Sequence, residues 1–209
     1  YPAFIDRFLA TAEAFEVDVV LLFNKEDTYS DAELKNLRAL TSIYQNIGYT
    51  CLEISALYGQ QVDAVKGLMK NKVCVLSGHS GVGKSTLVNA LVPGLKLKTA
   101  EISEHHQQGQ HTTTFAEMHT LDFGAKIIDT PGIRGFGMID FQKEELGDYF
   151  REFFALKDQC KFNNCLHVDE PKCAIKAAVE SGEIAPSRYK SYLQMLEDES
   201  TNYRTDVAT

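Results

Sequence analysis

What this chain lacks narrows its class before any motif is read. No stretch approaches the ~20 consecutive apolar residues that a helix needs to cross a bilayer, and no signal-peptide pattern opens the sequence. The expectation is a cytoplasmic protein with no membrane partner. Positive charge is in deficit: 21 Lys and Arg stand against 29 Asp and Glu, a formal net charge of −8. The chain as a whole is therefore no electrostatic glue for nucleic acid, and any RNA contact needs a local basic patch. Internal repeats and low-complexity segments are absent. Five cysteines are an odd set, which argues against a disulfide framework and for a reduced protein. An initiating methionine is also missing: Tyr1-Pro2 leads almost at once into a helix-like run, and we expect an N-terminal portion to precede it.

What remains is an ordinary globular mixture, 44% apolar and 24% charged in 209 residues, enough for one good-sized domain with a small appendage. The run Phe15 to Asn24 is largely apolar, interrupted by Glu16 and Asp18, and rich in β-branched residues, as in a buried parallel strand. Ser30 and Glu33 form a capping box that predicts a helix with Leu34, Leu37, Leu40, Tyr44 and Ile47 on one face. Strands are expected again at Tyr49 to Ser55 and Lys72 to Gly78, with helices from Val62 to Met69 and from Lys84. Two further strands precede and follow a turn near Gly124, and Ser187 to Glu199 closes the ordered part as a helix, the last ten residues being polar and frayed. Alternation of this kind predicts a doubly wound, mostly parallel α/β sheet with ligands at the carboxyl ends of its strands.

Gly78-His79-Ser80-Gly81-Val82-Gly83-Lys84-Ser85 satisfies the phosphate-loop pattern, with a strand before it and a helix after it. Its glycines let backbone N–H groups wrap phosphates, and the helix N-terminus at Lys84, Ser85 and Thr86 adds its positive end. Lys84 is placed to reach the β- and γ-phosphates, and the Ser85 hydroxyl to ligate Mg²⁺. Asp129-Thr130-Pro131-Gly132 ends an apolar strand 45 residues later. Asp129 then faces Mg²⁺ through water, and the Gly132 N–H meets the γ-phosphate.

A guanine-reading motif stands in front of these. In Asn24-Lys25-Glu26-Asp27, the Asp27 carboxylate can accept from guanine N1–H and the N2 amino group, Asn24 supports the loop, and Lys25 lies along the base. Ser55-Ala56, within "EISAL", resembles the loop that backs the guanine O6. Alone, the tetrapeptide would read as a polar turn; two base-reading motifs in the right mutual order point to GTP and GDP as ligands. The order is base loop, backing loop, phosphate loop, switch, then Asp129 to Gly132. That is a circularly permuted G domain.

Ile133 follows Gly132, where some G proteins place a water-positioning Gln, so another group must orient the nucleophile. "GQHTTT" (Gly109 to Thr114) falls where the first switch belongs. We favour Thr113 over Thr112 as the second hydroxyl ligand of Mg²⁺, and His111 as the residue that orients or polarises water. A solvated loop residue is the alternative for His111, as it is for His105 and His106.

Cys160, Cys165, His167 and Cys173 supply three thiolates and one imidazole within fourteen residues, a set suited to closed, structural, tetrahedral Zn²⁺. Such an ion would tie together a loop too small for its own core. Lys157, Lys161 and Lys172 could face RNA, but they are interspersed with acids and a solvated face is the simpler reading. The expected division is a permuted nucleotide domain over residues 1–142 and a small helical zinc-binding domain over 143–209.

"NKED", "ISAL", "GHSGVGKST", "GQHTTT", "DTPGIRGFG" and the Cys/His cluster together resemble the circularly permuted, ribosome small subunit-dependent GTPase A proteins of bacteria, from about Tyr1 to Glu199. The resemblance implies an N-terminal OB-fold that binds ribosomal RNA, which these residues do not contain, then the permuted G domain and a zinc-bearing helical domain. It implies a GTPase that matures the small (30S) ribosomal subunit, with 16S rRNA as a partner whose binding weakens or is lost without the OB-fold. It also implies the water-orienting role for His111, although the family usually has Gly-Arg-His where this chain has Gln110. A monomer is expected. Competing classes are a small-molecule kinase, against which the guanine-reading pair argues, and a nucleotide-gated module that does not hydrolyse.

Overall fold

The computed structural model describes residues 2–95, 117–129 and 141–205, with side chains described except at Asp129 and from residue 199 onward. By contacts the chain divides into two compact units. One comprises Tyr1–Val19, Ile43–Tyr49 and Gly135–Thr209, and the other Val20–Ser42 and Thr50–Arg134. The division differs from the single cut expected after residue 142: the first helix and the end of the second group with the C-terminal segment.

Among the described residues the nucleotide-motif unit carries two small sheets. Strand β1 (Val20–Asn24) pairs in parallel with β2 (Thr50–Ile54), Val20 opposite Thr50 and Asn24 opposite Ile54. Helix α2 (Asp31–Asn46) lies between them in sequence. In the second sheet β5 (Lys126–Asp129) is central, parallel to β3 (Val73–Val75) and antiparallel to β4 (Glu117–Thr120). The β4–β5 pair is the hairpin expected about Gly124, whose φ of +84° suits a residue without a Cβ. Helices α3 (Val62–Met69) and α4 (Lys84–Leu91) take the expected residues. Ile54, Val65, Met69, Leu87, Leu91 and Ile127 pack into one core, so side chains from both sheets and both helices share it.

Two local expectations are corrected. The apolar run from Phe15 is not all strand. Helix α1 (Pro2–Ala14) is closed by Phe15 N–H to Thr11 O and Val17 N–H to Ala12 O, with Glu16 at φ +53°. The strand starts only at Val20, and Phe15 stays 58% exposed. Nor is β1 fully buried as expected: Val20 is 37% exposed and Leu21 to Asn24 are only half-buried. The capping box forms as read, with Ser30 N–H donating to Glu33 Oε2 at 2.8 Å and Glu33 N–H to Ser30 Oγ at 3.4 Å. The Ser30 hydroxyl also donates to Glu33 Oε2, at 2.7 Å, and this bond, followed by that from the Ser30 N–H, holds the Glu33 carboxyl below its ordinary range.

The other unit is helical. After α1 it contains α5 (Lys143–Leu146), α6 (Arg151–Phe154), α7 (Ala174–Ser181) and α8 (Pro186–Thr205). Helix α8 runs well past the expected Glu199. Leu146, Phe150, Phe153, Ile175, Ile184 and Tyr192 form its core. Through that core passes a charge network that composition does not suggest. Arg188, 1% exposed, donates to Asp6 Oδ1 at 2.7 Å and to Glu152 Oε1 at 2.6 Å, and lies over the Phe150 ring. Tyr44, in the last turn of α2, also donates to Asp6 Oδ1, at 2.8 Å. Among the described residues no helix is long and apolar enough to cross a membrane.

Candidate nucleotide site and metal cluster

The base loop leaves β1 at Asn24. Lys25 takes a left-handed conformation, φ +71°, and the chain enters a single 3₁₀ turn, Glu26–Thr28, closed by the Thr28 hydroxyl on Lys25 O at 2.8 Å. Because β1 and β2 are in parallel register to their last residues, the base loop and the backing loop emerge side by side. Their side chains meet there. Asn24 Oδ1 accepts from the Ala56 N–H at 3.0 Å, and the Ser55 hydroxyl donates to Asp27 Oδ1. A shared proton acceptor of this kind points the second oxygen of a carboxylate in a set direction, as a base-reading Asp requires.

The phosphate loop adopts the expected form. Gly78, Gly81 and Gly83 have φ of +149°, +79° and +94°, and Gly83 is the residue from which α4 starts. Asn24 Nδ2 donates to Val82 O at 2.9 Å, which ties the base loop to the phosphate loop. Gly83 is required at this point, since a Cβ there would collide with Asn24 Nδ2. Lys84 Nζ turns back onto the carbonyls of Gly78 at 2.6 Å and His79 at 2.8 Å, a cradle of oxygens like that of a phosphate group, and burial holds its ammonium below the usual lysine range. A cavity of about 190 Å³ opens against Asn24, Lys25, Asp27, Thr28, Leu57, Gly83 and Thr86. Its walls thus come from both motifs, and Thr28 and Leu57, which the motif reading passed over, are part of it. Ser80 and Ser85 lie in the same loop and at the start of α4. Asp129 is the last residue of β5, opposite Glu117. His111, Thr112, Thr113 and Gly132 lie outside the described residues.

In the helical unit Cys160, Cys165, His167 and Cys173 converge, their ligand atoms all within 4.8 Å of one another. Cys160 Sγ is 3.7 Å and Cys173 Sγ 3.4 Å from His167 Nδ1, and the two sulfurs are 4.0 Å apart. An ion held at bonds of about 2.0–2.3 Å makes a tetrahedron whose edges are about 3.5–3.8 Å, so the donor set fits zinc. Burial pushes the Cys165 thiol up to about 12 and raises that of Cys173, while it lowers His167. A dication that displaces thiol protons suits such a pocket; a lone thiolate does not.

The surroundings fix the loop. The Glu170 carboxylate accepts from the amides of Leu166 and Val168 at 2.8 and 2.9 Å, and against the effect of burial these bonds hold it below its ordinary range. From α8, Tyr189 and Tyr192 donate to the carbonyls of His167 and Leu166 at 2.7 and 2.8 Å. Gly147 leaves room for the imidazole, because a Cβ would stand 3.3 Å from His167 Nε2. None of these four supports was singled out in the sequence; the i, i+3 spacing of the two tyrosines was the available signal.

The RsgA GTPase family model matches residues 1–139. The small ribosomal subunit biogenesis GTPase RsgA of Flavobacterium psychrophilum is 61% identical over 204 residues, covering 98% of this chain and 63% of that protein. The protein of the same name from Christiangramia forsetii is 62% identical over 203 residues, covering 97% and 64%. The chain thus spans less than two thirds of the length of these relatives. Among solved structures, YjeQ from Thermotoga maritima superposes with a TM-score of 0.83 at 41% identity, over 95% of this chain and 66% of that one. YloQ, described as a circularly permuted GTPase, gives 0.79 at 31% identity, over 97% and 64%. The permuted order of motifs, the joined base and phosphate loops and these likenesses lead to one assignment: the chain belongs to the RsgA GTPase family, with its circularly permuted α/β fold.

Proposed function

We propose that this chain binds GTP and GDP with Mg²⁺, hydrolyses GTP, and uses its nucleotide state to time association with the small ribosomal subunit during maturation. The observation that carries the reading is Asn24, whose one side chain joins Ala56 of the backing loop to Val82 of the phosphate loop. Asp27, Lys25, Ser55 and Ala56 read guanine. Gly78 to Thr86 hold the phosphates, with Lys84 exchanging its two carbonyls for phosphate oxygens. Ser85, Thr113 and Asp129 surround Mg²⁺, Gly132 meets the γ-phosphate, and His111 orients the attacking water.

Zn²⁺ on Cys160, Cys165, His167 and Cys173 is structural: four protein donors leave no position open for chemistry. The ribosomal role is supported by the identity of the relatives and by the sequence resemblance. The protein works in the cytoplasm as a monomer, with 16S rRNA at the interface.

Competition of GDP and ADP against a fluorescent GDP analogue tests the nucleotide, and single-turnover GTP hydrolysis with and without 30S subunits tests the rest. GDP is expected to win by orders of magnitude, and hydrolysis to quicken with subunits. Equal competition by ADP would sink the guanine reading. His111→Ala is expected to abolish stimulated turnover while sparing GDP affinity.

A further inference from the structure

The backing loop is a closed ring. Ser55 and Gln60 exchange backbone hydrogen bonds in both directions, Ser55 N–H to Gln60 O at 3.3 Å and Gln60 N–H to Ser55 O at 3.0 Å. The six residues between and including them turn through Gly59 at φ +74°, and Gln61 follows at +62°. Inside the ring the Tyr58 N–H reaches the Ser55 hydroxyl at 3.4 Å. Opposite the ring stands the 3₁₀ turn of the base loop. Gln60 Nε2 donates to Glu26 Oε2 at 2.9 Å, the residue next to Asp27.

We infer that Gln60 and Glu26 are positioning residues for guanine selectivity. Neither lines the cavity; they act through their neighbours. Asp27 is tied to Ser55, Asn24 to Ala56, and Glu26 to Gln60, so three side-chain bonds register one loop against the other. The first two involve groups that the base also needs. The third involves groups that the base does not use, so it persists when nucleotide enters or leaves. It keeps Asp27 and the Ser55–Ala56 backbone at a set separation in the empty site, which lowers the ordering cost of binding. The benefit falls on contacts to the purine edge, not on the phosphates.

This inference rests on the guanine-nucleotide reading above. The test is competition by GDP and by IDP, which lacks the N2 amino group that Asp27 is proposed to accept from. Gln60→Ala and Glu26→Ala are expected to weaken GDP about three- to tenfold, the range of one surface hydrogen bond. IDP should weaken less, so the GDP:IDP ratio narrows. The swapped double variant Glu26→Gln with Gln60→Glu, which restores a donor opposite an acceptor, is expected to recover both GDP affinity and the ratio. Unchanged affinities, or equal losses for GDP and IDP that the swap fails to recover, would overturn the clip while leaving the guanine reading intact. A wild-type chain that does not prefer GDP to ADP would instead overturn the guanine reading and the clip with it.

Discussion

Asn24 Nδ2 donates to the backbone carbonyl of Val82 at 2.9 Å, across 58 residues of sequence. The same amide's oxygen takes the Ala56 N–H, so one side chain touches both motif loops. Asn24→Ala removes two hydrogen bonds, each worth about 1 kcal/mol, and about 30-fold of GDP affinity should go with them. Gly83→Ala forces a Cβ into Asn24 Nδ2 at a φ of +94° and should cost at least as much. The two losses should not add. In the Asn24→Ala background the Cβ has space, and Gly83→Ala is expected to cost only its backbone strain. Isothermal titration with GDP on the four proteins of the cycle measures this; strict additivity would mean that the two residues do not meet.

Removing zinc should undo the helical unit's loop. Cys160, Cys173 and His167 lie within 4.0 Å of one another, and Cys173 belongs to the helical core with Cys160 and Cys165 packed against it, so loss of the ion would leave that edge of the core unclosed. A strong chelator, or Cys173→Ala, is expected to lower the melting temperature by several degrees and to release one zinc per chain by colorimetric assay. Each thiol must lose its proton to bind metal, and burial raises both Cys165 and Cys173. Zinc affinity should therefore fall as pH falls, by up to about tenfold per thiol per pH unit, with proton release seen in weakly buffered titration.

Arg188 is buried between Asp6, 0% exposed, and Glu152. Arg188→Ala leaves both carboxylates without their cation and should destabilise by about 3–5 kcal/mol, the range for breaking a buried pair. Adding Asp6→Asn and Glu152→Gln to the same chain should return part of the loss, because the orphaned charges are then gone. Urea unfolding monitored by circular dichroism reports the order of the three stabilities.

Cys51 lies in β2, and burial pushes its thiol up to about 11. Its folded value lies above that of the unfolded chain, so the folded state keeps its proton longer. The sign follows: this contribution is fully present below pH ~8.5, the ordinary thiol value, and is lost as pH rises through about 11. Cys51→Ala should flatten that alkaline decline in melting temperature. In the native protein at pH 8, Cys51 should resist alkylation by iodoacetamide, and mass spectrometry of peptides labelled before and after unfolding checks this.

Much of the site was legible because its chemistry needs particular residue types at short, fixed spacings. Gly78 to Ser85, Asn24 to Asp27, and the Cys160 to Cys173 set are such local strings, and Ser30 with Glu33 capped α2 as read. Their order along the chain sufficed to infer the permutation. Other features depended on partners far away in sequence. The run from Phe15 was apolar enough for a strand, yet its first residues close α1 by backbone bonds that composition does not encode. Nothing local marks Arg188 as buried, and only the meeting of Asp6, Glu152 and Phe150 makes its burial tolerable. Gly147, Glu170, Tyr189 and Tyr192 support the metal loop through bonds and space set by packing.

The sequence by itself thus determined which motifs are present and their permuted order, since a glycine-rich loop, an Asn-Lys-x-Asp string and a Cys/His cluster are local properties. Tertiary structure alone decided how the pieces are held. A hydrogen bond from Asn24 to Val82, or an ion pair from Asp6 to Arg188, exists only once the chain has brought distant residues together and excluded water from between them.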